Sequence, residues 1–165
     1  MILKFSLDFP EDMACIETIR LLNRCFLEEI KVKKATINEV EMIIGELCSN
    51  VVRHAHSKMM RFLVTLEYYK PKVVITVEDQ GQGFVMKDVP PVGTARSDGE
   101  RGERFGGFGL PLLEGLSDKL NFTTTVPHGT TVRVEKDLDY ETVGAAINAA
   151  ERDTDFEGKV IATKD

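Results

Sequence analysis

Two pairs of strand-like runs constrain this chain more than any other feature. Residues 61–69 and 73–78 flank Lys70-Pro71-Lys72, and residues 119–125 and 130–136 flank Val126-Pro127-His128-Gly129. Short β-prone runs joined through such turn residues predict two β-hairpins. Residues 2–9 add a further strand, with Leu3, Phe5, Leu7 and Phe9 on one face and Pro10 closing it. A sheet with one apolar face needs a cover, and the chain supplies it. Ile16, Ile19, Leu22, Phe26 and Ile30 recur at helical spacing over 12–31, and Val40, Ile43, Ile44, Leu47 and Val51 form a second helical stripe. Thr36-Ile37-Asn38-Glu39 reads as a capping box that opens the second helix. Leu110 to Leu116 reads as a short helix with Pro111 near its first turn, where a missing N–H costs nothing. The order β-α-α-β-β-α-β-β predicts an α/β, two-layer sandwich: a mixed β-sheet with helices on one face.

With 165 residues and 42% apolar content, the chain holds one core. Residues 1–138 form the predicted domain, and 139–165 an Ala-rich helical extension with an acidic tail of unassigned role. A net charge of −6 offers no basic stripe for phosphate backbones, which argues against nucleic acid as a partner. Met1 to Pro10 lacks the apolar core of a secretory signal, and no apolar run is long enough to cross a membrane. A cytoplasmic location without a membrane partner is the expectation. Cys15, Cys25 and Cys48 share no C-x-x-C spacing and read as small buried hydrophobes, unlike disulfides or zinc ligands.

Chemistry concentrates at the ends of the Gly- and Pro-rich stretch 79–109, too long for an ordinary connection in a compact domain. Where the strand 73–78 ends, Asp79-Gln80-Gly81-Gln82-Gly83 offers a fixed acceptor followed by two glycines that let backbone approach a ligand. At the far end, Arg104-Phe105-Gly106-Gly107-Phe108-Gly109-Leu110 opens a helix, where unpaired N–H groups favour an anion. Taken alone, D-x-G-x-G is often just a tight turn, and a Gly-rich helix start is more often a loop terminus than a phosphate cradle. Upstream, Glu46 and Asn50 lie one turn apart beside the second helix's apolar stripe. They read either as a solvated helix edge or as two oxygens aimed at one ligand, because residues four apart project to the same side, about 40° around the axis from one another.

Taken together and in this order, Glu46-x-x-x-Asn50, Asp79-x-Gly81-x-Gly83, Gly107-x-Gly109-Leu110 and Gly129-Thr130 resemble the GHKL class of ATP-binding proteins. Within it the chain is most similar to bacterial anti-sigma-factor serine/threonine kinases, over roughly residues 1–137. The resemblance implies the Bergerat-type ATP-binding fold and the cofactors ATP and Mg²⁺. It implies that Asp79, supported by Thr130, accepts the adenine amino group, and that Asn50 ligates Mg²⁺. It further implies that Gly81, Gly83, Gly106, Gly107 and Gly109, with Leu110, bound a lid over the phosphates, and that Glu46 is the general base. Arg104 and Arg101 either reach the γ-phosphate or are solvated loop charges.

A sensor histidine kinase carries a helical hairpin with a phospho-accepting His upstream, and only residues 1–35 precede the capping box. His54 and His56 point apart on a helix and make no metal pair. The implied function is a Mg-ATP-dependent serine/threonine protein kinase that regulates transcription, with a sigma factor and/or a small anti-anti-sigma (STAS-type) protein as partners. A homodimer is a further expectation. Two alternatives stay open: a non-catalytic nucleotide-gated binding switch, and a kinase acting on a signalling scaffold or phosphatase regulator. Arg20, Arg24, Glu17 and Glu28 on the first helix read as a plain solvated face.

Overall fold

The computed structural model describes residues 1–55, 60–81, 109–125 and 129–141. Eight elements follow in order: β1 (Leu3–Pro10), α1 (Ala14–Glu29), α2 (Lys34–His54), β2 (Arg61–Tyr68), β3 (Lys72–Asp79), α3 (Gly109–Leu116), β4 (Lys119–Thr125) and β5 (Gly129–Asp137). The strands form one sheet in the order β1-β2-β3-β5-β4. Its inner face is set by alternation. Phe62, Val64, Leu66 and Tyr68 of β2 and Val73, Ile75 and Val77 of β3 are buried with Val134 of β5. They meet Ile19 and Leu27 of α1, Val40, Ile43, Ile44 and Leu47 of α2, and Leu113 of α3. The predicted two-layer α/β architecture is therefore the observed one.

The expected mixed pairing is corrected: every strand pairing among the described residues is antiparallel. The physical reason is the placement of the second hairpin. The chain leaves β3, lays down α3 and then the outer strand β4, and β5 returns between β4 and β3. β3 and β4 thus run in the same direction without touching, and the crossover yields no parallel ladder.

The capping box is also corrected. α2 begins at Lys34, its N-cap Lys33 makes no side-chain cap, and Thr36 is buried inside the first turn. Glu39 instead pairs with Lys136 of β5 at 2.7 Å. A tertiary contact fixes the helix start: Lys33 N–H donates to the Asp139 carbonyl at 2.7 Å and Glu141 N–H to the Lys31 carbonyl at 2.9 Å. Val32 and Tyr140 pair as a bridge within this strap. Leu138 is buried and Tyr140 packs against the core, so residues 138–141 are held to the α1–α2 linker.

α1 is shorter than the predicted 12–31 and ends in a Schellman motif built on a lysine. Lys31 takes φ 62. Its N–H donates to the Glu28 carbonyl at 3.0 Å, and Val32 N–H to the Leu27 carbonyl at 3.0 Å. Leu27 and Val32 are both buried, which supplies the apolar contact such a cap carries. The charged side of α1 is more than a solvated face: Arg24 donates through Nε at 2.7 Å and through Nη2 to Glu41 of α2, a buried carboxylate. Of the three cysteines only Cys48 is buried, where burial pushes its thiol up to about 12. Cys25 is exposed because it falls on the outward side of α1 with Leu21 and Glu28.

Candidate functional site

Asp79 is the last residue of β3, on the inner face of the sheet, between Phe62 of β2 and Thr130 of β5 in register. Two backbone donors orient it. Gly81 N–H reaches Oδ1 at 2.7 Å, and Thr130 N–H also bonds the carboxylate. Burial holds the Asp79 carboxyl above the ordinary aspartate range, the Gly81 and Thr130 N–H groups work against that rise, and the charge of Glu11 adds to it. The result is a fixed, half-buried acceptor.

Close backbone approaches hold this acceptor in place. Gly129 has φ +104, and a β-carbon there would overlap the Asp79 carbonyl oxygen and lie 3.0 Å from Gln80 Cα. Gly81 packs as tightly on the end of α2, where a β-carbon would overlap the Ala55 carbonyl. No L side chain fits either place. Thr130 is buried beside them.

Glu46 and Asn50 are both half-buried on α2, in the half of the helix that ends at Ala55. They follow the buried Ile43 and Leu47, so the stripe that docks α2 on the sheet also fixes where they point. α3 closes the other side. Leu113 buries completely against the core, and Gly109, the helix's first residue, lies against the Glu46 carboxylate. A β-carbon on Gly109 would stand 2.9 Å from Glu46 Cδ and overlap Oε1. Pro111 is the third residue of α3, a position whose N–H has no intrahelical acceptor.

The described structure thus brings Glu46, Asn50, Asp79, Gly81, Gly109 and Thr130 to one end of the domain, with Leu110 next to Gly109 on α3. Gly83, Arg101, Arg104, Gly106, Gly107 and His56 lie outside the described residues, as does the predicted extension beyond residue 141. Sequence reasoning missed two features. The contact between Glu46 and Gly109 joins residues 63 positions apart on elements that no local pattern relates. Glu11 follows the strand-ending Pro10 and carries no motif, so its reach to Asp79 had no signal.

The arrangement offers a half-buried carboxylate acceptor at the end of β3, glycine backbone packed closely beside it, and a carboxylate and carboxamide near the start of α3. Such a site suits a nucleotide: a base edge with an amino donor and phosphates against glycine backbone. Among the described residues no three His, Cys, Asp or Glu side chains converge as a metal cage. No described helix is long and apolar enough to cross a membrane.

The profile of the histidine kinase-like ATPase domain matches residues 9–136. The anti-sigma F factor of Pasteuria penetrans is 27% identical over 134 residues, covering 78% of this chain and 87% of that protein. The serine-protein kinase RsbW of Halalkalibacterium halodurans is 31% identical over 88 residues, 51% of this chain and 53% of its own length. The sensor histidine kinase YxdK of Bacillus subtilis is 31% identical over 101 residues, which cover 31% of that longer protein. The chain therefore spans most of the first, about half of the second and a minor part of the third. In fold, it superposes on the RsbU and RsbW domains of a Mycobacterium tuberculosis protein with a TM-score of 0.61 at 18% identity, covering 85% of this chain and 35% of that one.

Proposed function

Because the chain belongs to the family of histidine kinase-like ATPase domains, we propose that it binds ATP with Mg²⁺ and transfers the γ-phosphoryl group to a serine or threonine of a protein partner. The relatives' names, an anti-sigma F factor and a serine-protein kinase, support a sigma factor as the protein held; the phosphoryl acceptor proposed here is a small anti-anti-sigma (STAS-type) protein. A cytoplasmic setting follows from such partners. The observation that carries the reading is two carboxylates with different surroundings at one end of the domain: Asp79 fixed by two N–H donors, and Glu46 facing the start of α3.

In this reading each residue has one task. Asp79 accepts the amino group of adenine through the oxygen lone pairs that Gly81 and Thr130 leave open. Gly81 and Gly129 keep side chains out of the space beside Asp79, with Gly83, Gly106 and Gly107 proposed to do the same in the segment between. Asn50 supplies a side-chain oxygen to Mg²⁺, an ion that favours oxygen ligands and retains several waters, so few protein ligands suffice. The ion, when bound, neutralises phosphate charge. Arg104 is proposed to add a positive charge on the same side. Glu46 takes the proton of the attacking hydroxyl as its oxygen bonds to the γ-phosphorus and the bond to the β-phosphate oxygen breaks, leaving ADP and a phosphoprotein.

Glu46 and Asn50 fail differently when substituted. Glu46→Gln keeps shape and loses the base, so it binds Mg-ATP no more weakly than wild type while transfer falls on the order of 10²-fold. Asn50→Ala weakens Mg-ATP binding itself. The test follows radiolabel from ATP to the captured partner and measures nucleotide affinity in parallel. Wild-type rates with Glu46→Gln refute the base. A wild-type protein that transfers nothing to a partner it binds refutes the kinase and makes nucleotide a switch for partner binding alone.

A further inference from the structure

We propose that Gly109 is a positioning residue for Glu46: the missing side chain at the first residue of α3 lets the helix start close against the carboxylate and fix its direction. The inference rests on the kinase reading only for its catalytic consequence. Three observations carry it. A β-carbon on Gly109 would overlap Glu46 Oε1 and stand 2.9 Å from Cδ and 3.4 Å from Cγ, so the whole end of that side chain lies against this one backbone position. α3 has no freedom to back away cheaply, because Leu113, one turn on, is fully buried in the core. Glu46 in turn rides on a helix whose next residue, Leu47, is buried, so its backbone is fixed and only its side-chain torsions can yield.

A methyl group at 109 therefore meets the far end of a flexible chain and displaces it, with helix and core intact. The electrostatics agree in sign. A carboxylate beside the first residue of a helix faces the unpaired N–H groups and the positive end of the dipole. The chain also contains its own control: Gly115, on the same helix, has no described atom within 4 Å of where its side chain would begin. A requirement for flexibility or for low helix propensity in α3 would treat the two glycines alike. A requirement for room beside Glu46 singles out Gly109.

The test is a cycle on the full chain with Gly109→Ala, Glu46→Gln, their combination, and Gly115→Ala. Gly109→Ala is expected to lower kcat for transfer about tenfold or more, as misplacing a reacting group does, with KM for Mg-ATP unchanged. In the Glu46→Gln background the same change is expected to cost nothing further, because the base it misdirects is already gone. Gly115→Ala transfers at the wild-type rate. Losses that multiply in the combined variant, or a raised KM with kcat kept, overturn the proposal, since Gly109 then acts on the nucleotide directly. A crystal structure of Gly109→Ala supplies the readout that needs no activity. A rotated Glu46 with α3 in place supports the positioning, and an unmoved Glu46 with a shifted α3 overturns it. Absence of transfer by the wild-type protein refutes the kinase, and the crystal structure then decides the positioning by itself.

Discussion

Asp79 is asked to stay ionised where burial opposes it. Its carboxyl lies above the ordinary range when folded and at that range when unfolded, so the folded chain binds more protons between the two values. Stability from this group is full below the ordinary value and is lost as pH rises through the raised one. At neutral pH the ionised Asp79 therefore works against the fold. Asp79→Asn is expected to melt no lower than wild type at pH 7, with the difference vanishing on acidification, while ATP affinity drops by about 2 kcal/mol, roughly thirtyfold. Wild-type affinity itself should weaken with falling pH at a higher pH than an ordinary aspartate would set, and the Asn variant should show no such limb. Calorimetry and melting at several pH values check both arms. A variant that melts lower and binds ATP as well as wild type contradicts the assignment of Asp79.

The elements show what the sequence could and could not reveal. The hairpins were legible because alternation and turn residues sit within ten residues of each other, and β2, β3, β4 and β5 fall within two residues of their predicted ends. The helix boundaries were less so, for tertiary reasons. α2 starts early because residues 139–141 pair with its leading linker, and α1 stops at a left-handed Lys31 where the usual glycine signal is missing. Of the site, the motifs themselves were readable, whereas their mutual distances depend on strand order and on α3 docking, which no local pattern encodes. The lysine cap carries its own prediction. A left-handed lysine costs about 1 kcal/mol relative to glycine, so Lys31→Gly is expected to raise the melting temperature by about 2–4 °C. A lowered melting temperature would mean that the Lys31 side chain contributes more than its backbone costs. Within the core, the Tyr68 hydroxyl donates to Asn23 Oδ1 at 2.9 Å, both residues being fully buried. Tyr68→Phe leaves Asn23 without this donor and is expected to cost about 1–3 kcal/mol in chemical denaturation, and replacing Asn23 by Leu in that background should recover part of it.

Across the whole molecule, the candidate site and the strap occupy opposite ends of β3: Asp79 at one, and at the other Lys72, which pairs with Asp137 just before the strap. The strap ties the chain after β5 to the α1–α2 linker, and its Tyr140 hydroxyl is buried without a partner among the described residues. Tyr140→Phe is therefore expected to hold or raise stability, whereas Tyr140→Ala loses about 2 kcal/mol of packing, both read from urea midpoints. The distance of the strap from Asp79 means that neither change should alter ATP affinity. The glycines divide along the same line between scaffold and chemistry, and this bears on how the gene can drift. At positions 81 and 129 a side chain meets backbone first, at 109 it meets the end of the Glu46 side chain, and at 115 it meets no described atom. A library of random variants sorted first for soluble folding and then for phosphate transfer should lose substitutions at 81 and 129 in the first sort and at 109 only in the second. Alanine at 115 should pass through both enriched.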